Sequence, residues 1–455
     1  MIFRAIPNEG SGCIAYLVGC EHTHAAALID VGRSDVEGCL ALVRAKGLTV
    51  THVLDTHIHA DHVSGARELA ATTGAAVGLH AAAEVRYPHQ ALEDGQRLQI
   101  GTVELRVLHT PGHTPESMCL AVTDTARAAE PWFVLTGDTL FVGDVGRPDF
   151  GGETAAADLH RSLFERLLPL GDAVEVYPAH GAGSLCGRAM SSKLGSTIGF
   201  ERRFNPALRH RQADAFVRAL LEHVPARPAS MDRIIAKNRG ELMLHRAAPV
   251  RIEPRDLGGR LAAGAVLVDC RDPRVFGAAH VVGSLNVSLE APQFAERVAS
   301  FVPPGARLVL VVPSEADLAR AVPALARVGL DDIDGYVVGD AGTTAGLPTA
   351  TLPQVSPPEL ARRLAAERDL IVLDVREPSE WAEGHVAGAR HVPMREVPQR
   401  VAELPRDRRI AVVCAGGARS SLVASVLERH GFTDLLNVWG GMTGWTQARL
   451  PLARD

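Results

Sequence analysis

Where Val50-Thr-His-Val-Leu-Asp55-Thr56 runs into His57-Ile-His59-Ala-Asp61-His62, three imidazoles and one carboxylate fall within six residues. Three further residues of ligand type each follow an apolar run: His113 in Thr110-Pro-Gly-His-Thr114, Asp138 in Thr136-Gly-Asp-Thr139, and His180 in Tyr177-Pro-Ala-His-Gly181. Neutral imidazole and carboxylate placed at strand ends converge naturally on a metal ion. Taken singly, a histidine such as His52 or His109 reads as a surface or core residue; the seven together read as a metal centre. A second chemistry lies near the other end, where the apolar run Ile410 to Val413 meets Cys414-Ala-Gly-Gly-Ala-Arg419-Ser420 and a helix-forming stretch follows through Leu427. A thiol at a strand-to-helix turn is surrounded by backbone N–H groups and a helix N-terminus, which favour a thiolate or persulfide anion. Gly416 and Gly417 let the loop curl around the sulfur, and Arg419 adds positive charge.

The elements that position these groups belong to a chain of 455 residues, long enough for two to four domains with cores of their own. It is 46% hydrophobic and 22% charged with a formal charge of −6, which describes an ordinary globular protein and argues against a basic nucleic-acid platform. The seven cysteines at positions 13, 20, 39, 119, 186, 270 and 414 form no Cys-x-x-Cys pair, so they read as reduced thiols of the cytoplasm. Met1 to Gly19 has no continuous apolar core, and neither a secretory signal nor a membrane span is expected.

Beyond residue 250 the chain repeats itself. Val266-Leu-Val-Asp269-Cys-Arg271-Asp-Pro273 matches Ile371-Val-Leu-Asp374-Val-Arg376-Glu-Pro378, and Gly277-Ala-Ala-His280-Val-Val-Gly283 matches Glu383-Gly-His385-Val-Ala-Gly388, at an offset of 105 residues. Leu308 to Val312 then aligns with Ile410 to Cys414 at an offset of 102, after a three-residue deletion. Each copy alternates β-branched runs with amphipathic stretches such as Pro358 to Glu367 and Ser420 to His430, the pattern of α/β layering in units of about 100 residues. Ala341 to Pro353, small, polar and punctuated by Pro and Gly, reads as a linker, and a softer boundary falls between Leu244 and Arg251.

The seven ligand-type residues resemble the metallo-β-lactamase superfold over residues 1–245, which implies an αββα sandwich with its metal site at one sheet edge. That fold hosts many reactions, so the segments beside the ligands must decide the chemistry. Leu140-Phe-Val-Gly-Asp-Val-Gly-Arg147-Pro-Asp149-Phe150, Gly181-Ala-Gly-Ser184-Leu-Cys186-Gly and Ser196-Thr-Ile-Gly-Phe-Glu201-Arg202-Arg-Phe-Asn205 resemble persulfide dioxygenases of the ETHE type. No lysine-bearing substrate segment like that of glyoxalase-type thioester hydrolases is found here. The resemblance implies one Fe(II) per chain on His57, His113 and Asp138, a facial triad with positions open for O2 and substrate. In that reading His59, Asp61, His62 and His180 orient the ligands. Because all four are present, a dinuclear zinc thioester or lactone hydrolase with an appended sulfurtransferase stays open as the alternative. Arg147 is a candidate to hold a substrate carboxylate, with a salt bridge to Asp144 or Asp149 as the competing reading. Cys186 either carries sulfur near the metal or is an inert buried thiol.

Residues 355–455 resemble a rhodanese domain, on Asp374-Val-Arg376-Glu377, Trp381-x-x-Gly384-His385-Val-x-Gly388, the Cys414-to-Arg419 loop and Val438-Trp439-Gly440-Gly441. The resemblance implies that Cys414 is a sulfur-carrying nucleophile. Residues 252–340 resemble a rhodanese domain without its chemistry: Val312 stands at the position of Cys414, and Pro313-Ser-Glu-Ala-Asp317 replaces the glycine-rich loop. Cys270 is not at the nucleophile position and reads as structural. Together the resemblances imply a multidomain α/β enzyme that oxidises a persulfide of glutathione or another small thiol, and exchanges sulfur between Cys414 and sulfite or thiosulfate. No nucleic-acid or membrane partner is expected. A homo-oligomer is, and the address is cytoplasmic. A sulfur relay without catalysis is the third, weakest reading.

Overall fold

Runs of buried β-branched and aliphatic residues, such as Ile14 to Gly19 and Met118 to Asp124, are hydrophobic on both faces, and such strands must be covered on both sides. A computed structural model of the chain describes residues 1–8, 11–148, 151–182, 190–222, 230–240, 242, 244, 248–339 and 346–454. It divides into two compact units, Met1–His245 with Ala326–Gly329, and Arg246–Leu325 with Leu330–Asp455.

In the first unit, β1 (Ile2–Pro7), β2 (Ile14–Gly19), β3 (Ala25–Ile29), β4 (Thr49–Leu54), β5 (Ala76–His80) and β6 (Gln90–Leu92) form one sheet in chain order. The pairs from β1 to β3 are antiparallel, and those from β3 to β6 parallel. A second sheet holds β7 (Arg97–Ile100), β8 (Val103–His109), β9 (Met118–Asp124), β10 (Phe133–Gly137), β11 (Glu175–Pro178) and β12 (Ser196–Thr197). Its one parallel pair is β10 with β11, and their long connection contains the helix Gly152–Arg161. Between the sheets Tyr16, Val18, Leu105, Val107, Leu120 and Val122 interlock in one cluster. The helices Val36–Ala45 and Ala66–Thr73 cover the outer face of the first sheet, with Leu40, Val43 and Leu69 packed on Leu28 and Val53. Leu159 of Gly152–Arg161 and Phe216 of the helix Ala213–Leu221 join Val134 and Val176 on the outer face of the second. This is the αββα sandwich the sequence implies. His57, His113, Asp138 and His180 follow β4, β8, β10 and β11 respectively, so strand ends of both sheets meet at one edge.

Two glycines let these loops come together. Gly137, at φ +51, precedes Asp138, and a Cβ there would lie 2.6 Å from Thr56 Oγ1. At Gly146 a Cβ would lie 1.9 Å from the Asp138 carbonyl oxygen, so the Gly-Arg segment lies directly on the Asp138 loop.

The second unit contains one parallel sheet from each repeat. The first is ordered β15-β13-β16-β17, from β13 (Val266–Asp269), β15 (Leu285–Asn286), β16 (Leu308–Val312) and β17 (Ile333–Val338). The other is ordered β19-β23-β22-β20-β21, from β19 (Gln354–Val355), β20 (Ile371–Asp374), β21 (Arg390–His391), β22 (Ile410–Val413) and β23 (Leu435–Val438). The repeat extends to side chains. Arg271 Nε donates to Asp269 at 2.9 Å and Arg376 Nε to Asp374 at 2.9 Å, while His280 stacks on Phe276 and His385 on Trp381. The stretch read as a linker is not wholly one. Residues 341–345 lie outside the described residues, but β18 (Thr349–Ala350) pairs antiparallel with β14 (His280–Val281), satisfying backbone groups that an edge would leave open. Among the described residues no helix is long and apolar enough to cross a membrane.

Candidate metal centre and thiol loop

At the sandwich edge, His57, His113 and Asp138 are all buried, and one ligand atom from each lies within 4.8 Å of the other two. His57 Nε2 is 3.8 Å from Asp138 Oδ2, and His113 Nε2 is 3.5 Å from the same oxygen. The other ring nitrogens are held by the protein. His113 Nδ1 donates to the Arg147 carbonyl at 3.0 Å. Thr56 Oγ1 lies 3.0 Å from both carboxylate oxygens of Asp30 and 3.0 Å from His57 Nδ1. A hydroxyl has one proton, and given to the Asp30 carboxylate it leaves Thr56 to accept from His57 Nδ1–H. Both imidazoles therefore turn an Nε2 lone pair inward.

His57 Nε2 and Asp138 Oδ2 are buried with no hydrogen-bond partner, as are His59 Nδ1 and His62 Nε2. Orphaned buried polar atoms are rare because each forfeits its hydration, and two that converge with a third ligand atom fit a bound cation. The electrostatics agree. Burial, then the neighbouring imidazoles of His59, His113 and His180, push His57 well below the usual histidine range against Asp138, which keeps it a neutral ligand. Burial opposes ionisation of Asp138, but His180, His57 and His113 hold its carboxyl below the usual range.

Behind the triad, His180 bridges two carboxylates, with Nδ1 2.6 Å from Asp138 Oδ1 and Nε2 2.9 Å from Asp61 Oδ2. Asp61, His62, His180 and Cys13 form a second metal-capable group, and its members engage one another: Asp61 Oδ1 meets His62 Nδ1 at 3.1 Å, and Cys13 Sγ donates to Asp61 Oδ2 at 3.1 Å. His59 turns Nε2 to Asp30 at 3.2 Å and falls in a third group with Asp30 and Asp55. Arg147 is buried beside the triad through its carbonyl. Cys186, Ser184 and Asp149 lie outside the described residues.

Sequence reasoning passed over Asp30, Cys13 and Asn238. From the helix Ser230–Arg239, the buried Asn238 donates to the carbonyls of His59 and His62 at 2.9 Å each and accepts from Ser64 N–H, clamping the ligand loop. Nothing near Asn238 in sequence signals this. Cys13 is marked only by preceding a fully buried strand.

In the second repeat, β22 delivers Cys414, which is buried, to a turn whose Gly417 N–H donates to Sγ at 3.0 Å; Ser420 Oγ lies 3.3 Å from the sulfur. Gly417, at φ +112, begins the helix Ala418–Arg429 and lies against Trp439, where a Cβ would come within 2.8 Å of the indole. Arg419 of this loop also engages an acid outside it. Both terminal nitrogens bond the two carboxylate oxygens of Glu380 at 2.7 Å, so its charge is largely neutralised and its fork is occupied. In the first repeat Val312 ends the equivalent strand, and Ser314 and Asp317 close a capping box where the glycine loop would be.

The metallo-beta-lactamase superfamily profile matches residues 9–180, and the rhodanese-like domain profile residues 356–448. The chain belongs to the metallo-beta-lactamase superfamily and carries a rhodanese-like domain. Over its metallo-beta-lactamase part it is similar to a hydroxyacylglutathione hydrolase of Polaromonas sp., 38% identical over 168 residues, 36% of this chain and 60% of the relative. It is also similar to the mitochondrial persulfide dioxygenase ETHE1 of Bos taurus, 28% identical over 238 residues, 52% of this chain and 87% of the relative. Its rhodanese-like domain is similar to a sulfurtransferase of Allochromatium vinosum, 34% identical over 99 residues, 22% of this chain and 92% of the relative. The metallo-beta-lactamase part thus has named relatives of both functional kinds, and the rhodanese-like part has a sulfur-transferring one.

Proposed function

We propose that this chain is an iron(II) persulfide dioxygenase that oxidises the persulfide of glutathione or another small thiol, and a sulfurtransferase working through Cys414. The observation that carries the reading is the triad: two imidazole nitrogens and one carboxylate oxygen converge, while Asp61, His62, His180 and Cys13 bond one another and His59 turns Nε2 to Asp30, leaving His59 Nδ1 and His62 Nε2 unpartnered. Two histidines and one carboxylate on one face are the donor set of mononuclear iron oxygenases, and a second metal at Asp61, His62, His180 and Cys13 would have to displace the hydrogen bonds these residues make to one another. His57, His113 and Asp138 would hold the iron, which when bound supplies activation of O2 that zinc cannot.

The chain's own residues account for the rest. Thr56 and the Arg147 carbonyl fix the two imidazoles, and His180 holds Asp138 by its other oxygen. The guanidinium of Arg147 is suited to a substrate carboxylate. The net change consumes RSSH, O2 and water and releases RSH and sulfite with two protons. Sulfite is an acceptor for the outer sulfur of a Cys414 persulfide, so the two activities share an intermediate.

The test is oxygen uptake by freshly purified protein given glutathione persulfide, with iron and zinc measured on the same sample. Uptake that scales with iron near one per chain is expected. Zinc-supported, oxygen-independent cleavage of a thioester would establish the hydrolase instead.

A finer check follows from the Thr56 relay. Thr56→Val keeps the shape but removes the hydroxyl joining Asp30 to His57. Iron affinity is expected to fall about 10-fold to 100-fold in chelator competition, with the melting temperature little changed. Unchanged affinity would show that His57 needs no such support.

A further inference from the structure

The helix Ala418–Arg429, whose first turn closes the thiol loop, is buried without interruption from Ser420 to Leu427. A helix layered on a sheet ordinarily leaves one side to water. Here Ser421, Ser425 and Glu428 fall at i, i+4 and i+7, one stripe of the helix, and the cysteine-less repeat meets all three. From β15, Asn286 Oδ1 accepts from Ser421 Oγ at 2.6 Å and Asn286 N–H donates to Ser425 Oγ at 3.1 Å. His280 Nε2 of β14 lies 3.1 Å from Glu428 Oε1, and Gly283 N–H donates to Glu428 Oε2 at 3.2 Å. Asn286, Ser421 and Ser425 are buried.

Asn286 is itself held. Its Nδ2 donates to the carbonyls of Asp269 and Arg271 at 3.1 Å each, so the amide orientation is set from its own repeat. In the repeat that has the cysteine, 105 residues on, the position belongs to His391, whose Nε2 donates to the Arg376 carbonyl at 2.8 Å. Asparagine keeps that internal bond and adds an acceptor that reaches the neighbouring helix. The turn it reaches is the one around the sulfur. Gly417 N–H and Ser420 Oγ approach Cys414 Sγ at 3.0 and 3.3 Å, and Ser421 N–H donates to the Gly417 carbonyl at 3.2 Å. Moving Ser421 therefore moves the groups that face Sγ.

We propose that Asn286 is a positioning residue of the sulfurtransferase: through Ser421 it fixes the first helical turn so that the Gly417 N–H and the Ser420 hydroxyl stay aimed at the Cys414 sulfur. The proposal rests on the reading of Cys414 as a sulfur carrier. In that reaction the sulfur lone pair of sulfite attacks the outer sulfur of Cys414–S–SH. The S–S bond breaks, Cys414 leaves as thiolate, and thiosulfate forms with release of the persulfide proton. No oxidant is consumed. Donors fixed in advance stabilise the charge that develops on Sγ, whichever acceptor attacks. Asn286 touches neither sulfur, so its effect falls on the rate and not on sulfite binding.

The experiment uses the full chain with Asn286→Ala, Ser421→Ala and the double variant, and with sulfite and the neutral thiol dithiothreitol as alternative acceptors from persulfidated protein. Each single variant should lower kcat about 10-fold with both acceptors and leave the sulfite KM within about two-fold. Alkylation of the reduced Cys414 by iodoacetamide at neutral pH, read by mass spectrometry, should slow by about the same factor. The double variant should lose no more than about two-fold beyond the weaker single, because both substitutions break one connection.

Asn286→Ala also strips the Asp269 and Arg271 carbonyls of a donor and lowers the melting temperature. Ser421→Ala removes only the helix hydroxyl and decides the matter if Asn286→Ala does not fold. A kcat and an alkylation rate within about two-fold of wild type in Ser421→Ala overturn the proposal, as do independent, multiplying losses in the double variant or a loss confined to the sulfite KM. If wild type transfers sulfur to neither acceptor, the sulfurtransferase reading fails. The alkylation rates then still show whether Asn286 positions the thiol loop.

Discussion

His113→Ala is expected to yield a folded chain that no longer retains iron and whose persulfide-dependent oxygen uptake is lower by more than about 100-fold. His113 offers one of the three converging ligand atoms, 3.5 Å from Asp138 Oδ2, and alanine offers none. Loss of groups that merely orient a ligand already costs 10-fold to 100-fold in metal affinity, so loss of a ligand costs more. The variant should keep its stability better than a core truncation would, because His113 stands in a loop after β8 and belongs to none of the apolar clusters. Elemental analysis and an oxygen electrode on one preparation read both effects. Sulfur transfer from Cys414 to sulfite should be untouched, since Cys414 belongs to the other compact unit with its own core. Oxygen uptake retained with iron still bound would assign the metal to other residues.

Cys414→Ser is the converse. Thiosulfate formation from sulfite should fall below detection, because a hydroxyl cannot carry a sulfane sulfur, while oxygen uptake with glutathione persulfide stays within about two-fold of wild type. Serine fits the site without strain: Gly417 N–H and Ser420 Oγ, which now approach Sγ at 3.0 and 3.3 Å, can bond an oxygen equally well. The measurement pairs a thiosulfate assay with oxygen uptake and a thermal melt. Equal loss of both activities with an unchanged melt would mean that the two chemistries are obligately coupled.

The residues that were legible in the sequence share one property: their meaning is local. His57, His59, Asp61 and His62 stand within six residues of a strand end, Cys414 and Gly417 within a single turn, and the two repeats carry the same short strings. Strand-to-loop transitions write themselves as a change from β-branched runs to glycine and polar residues, so the αββα layering and the parallel sheets of the repeats could be anticipated from period and punctuation. The sequence alone therefore determined which chemistry-bearing groups exist and that strands present them. It did not determine how those groups are shared out. Asp30 claims His59 and Thr56 across 26 residues or more, Cys13 reaches Asp61 across 48, Asn238 holds His62 across 176, and Glu380 occupies Arg419 across 39. Each of these pairings depends on sheet register and on how helices dock, which are decided by burial summed over the whole core rather than by neighbours in the chain. For that reason the three-residue set that the resemblance implied is brought together only by the fold, and the bonds that engage the four ligand types around it were decided by the tertiary structure alone.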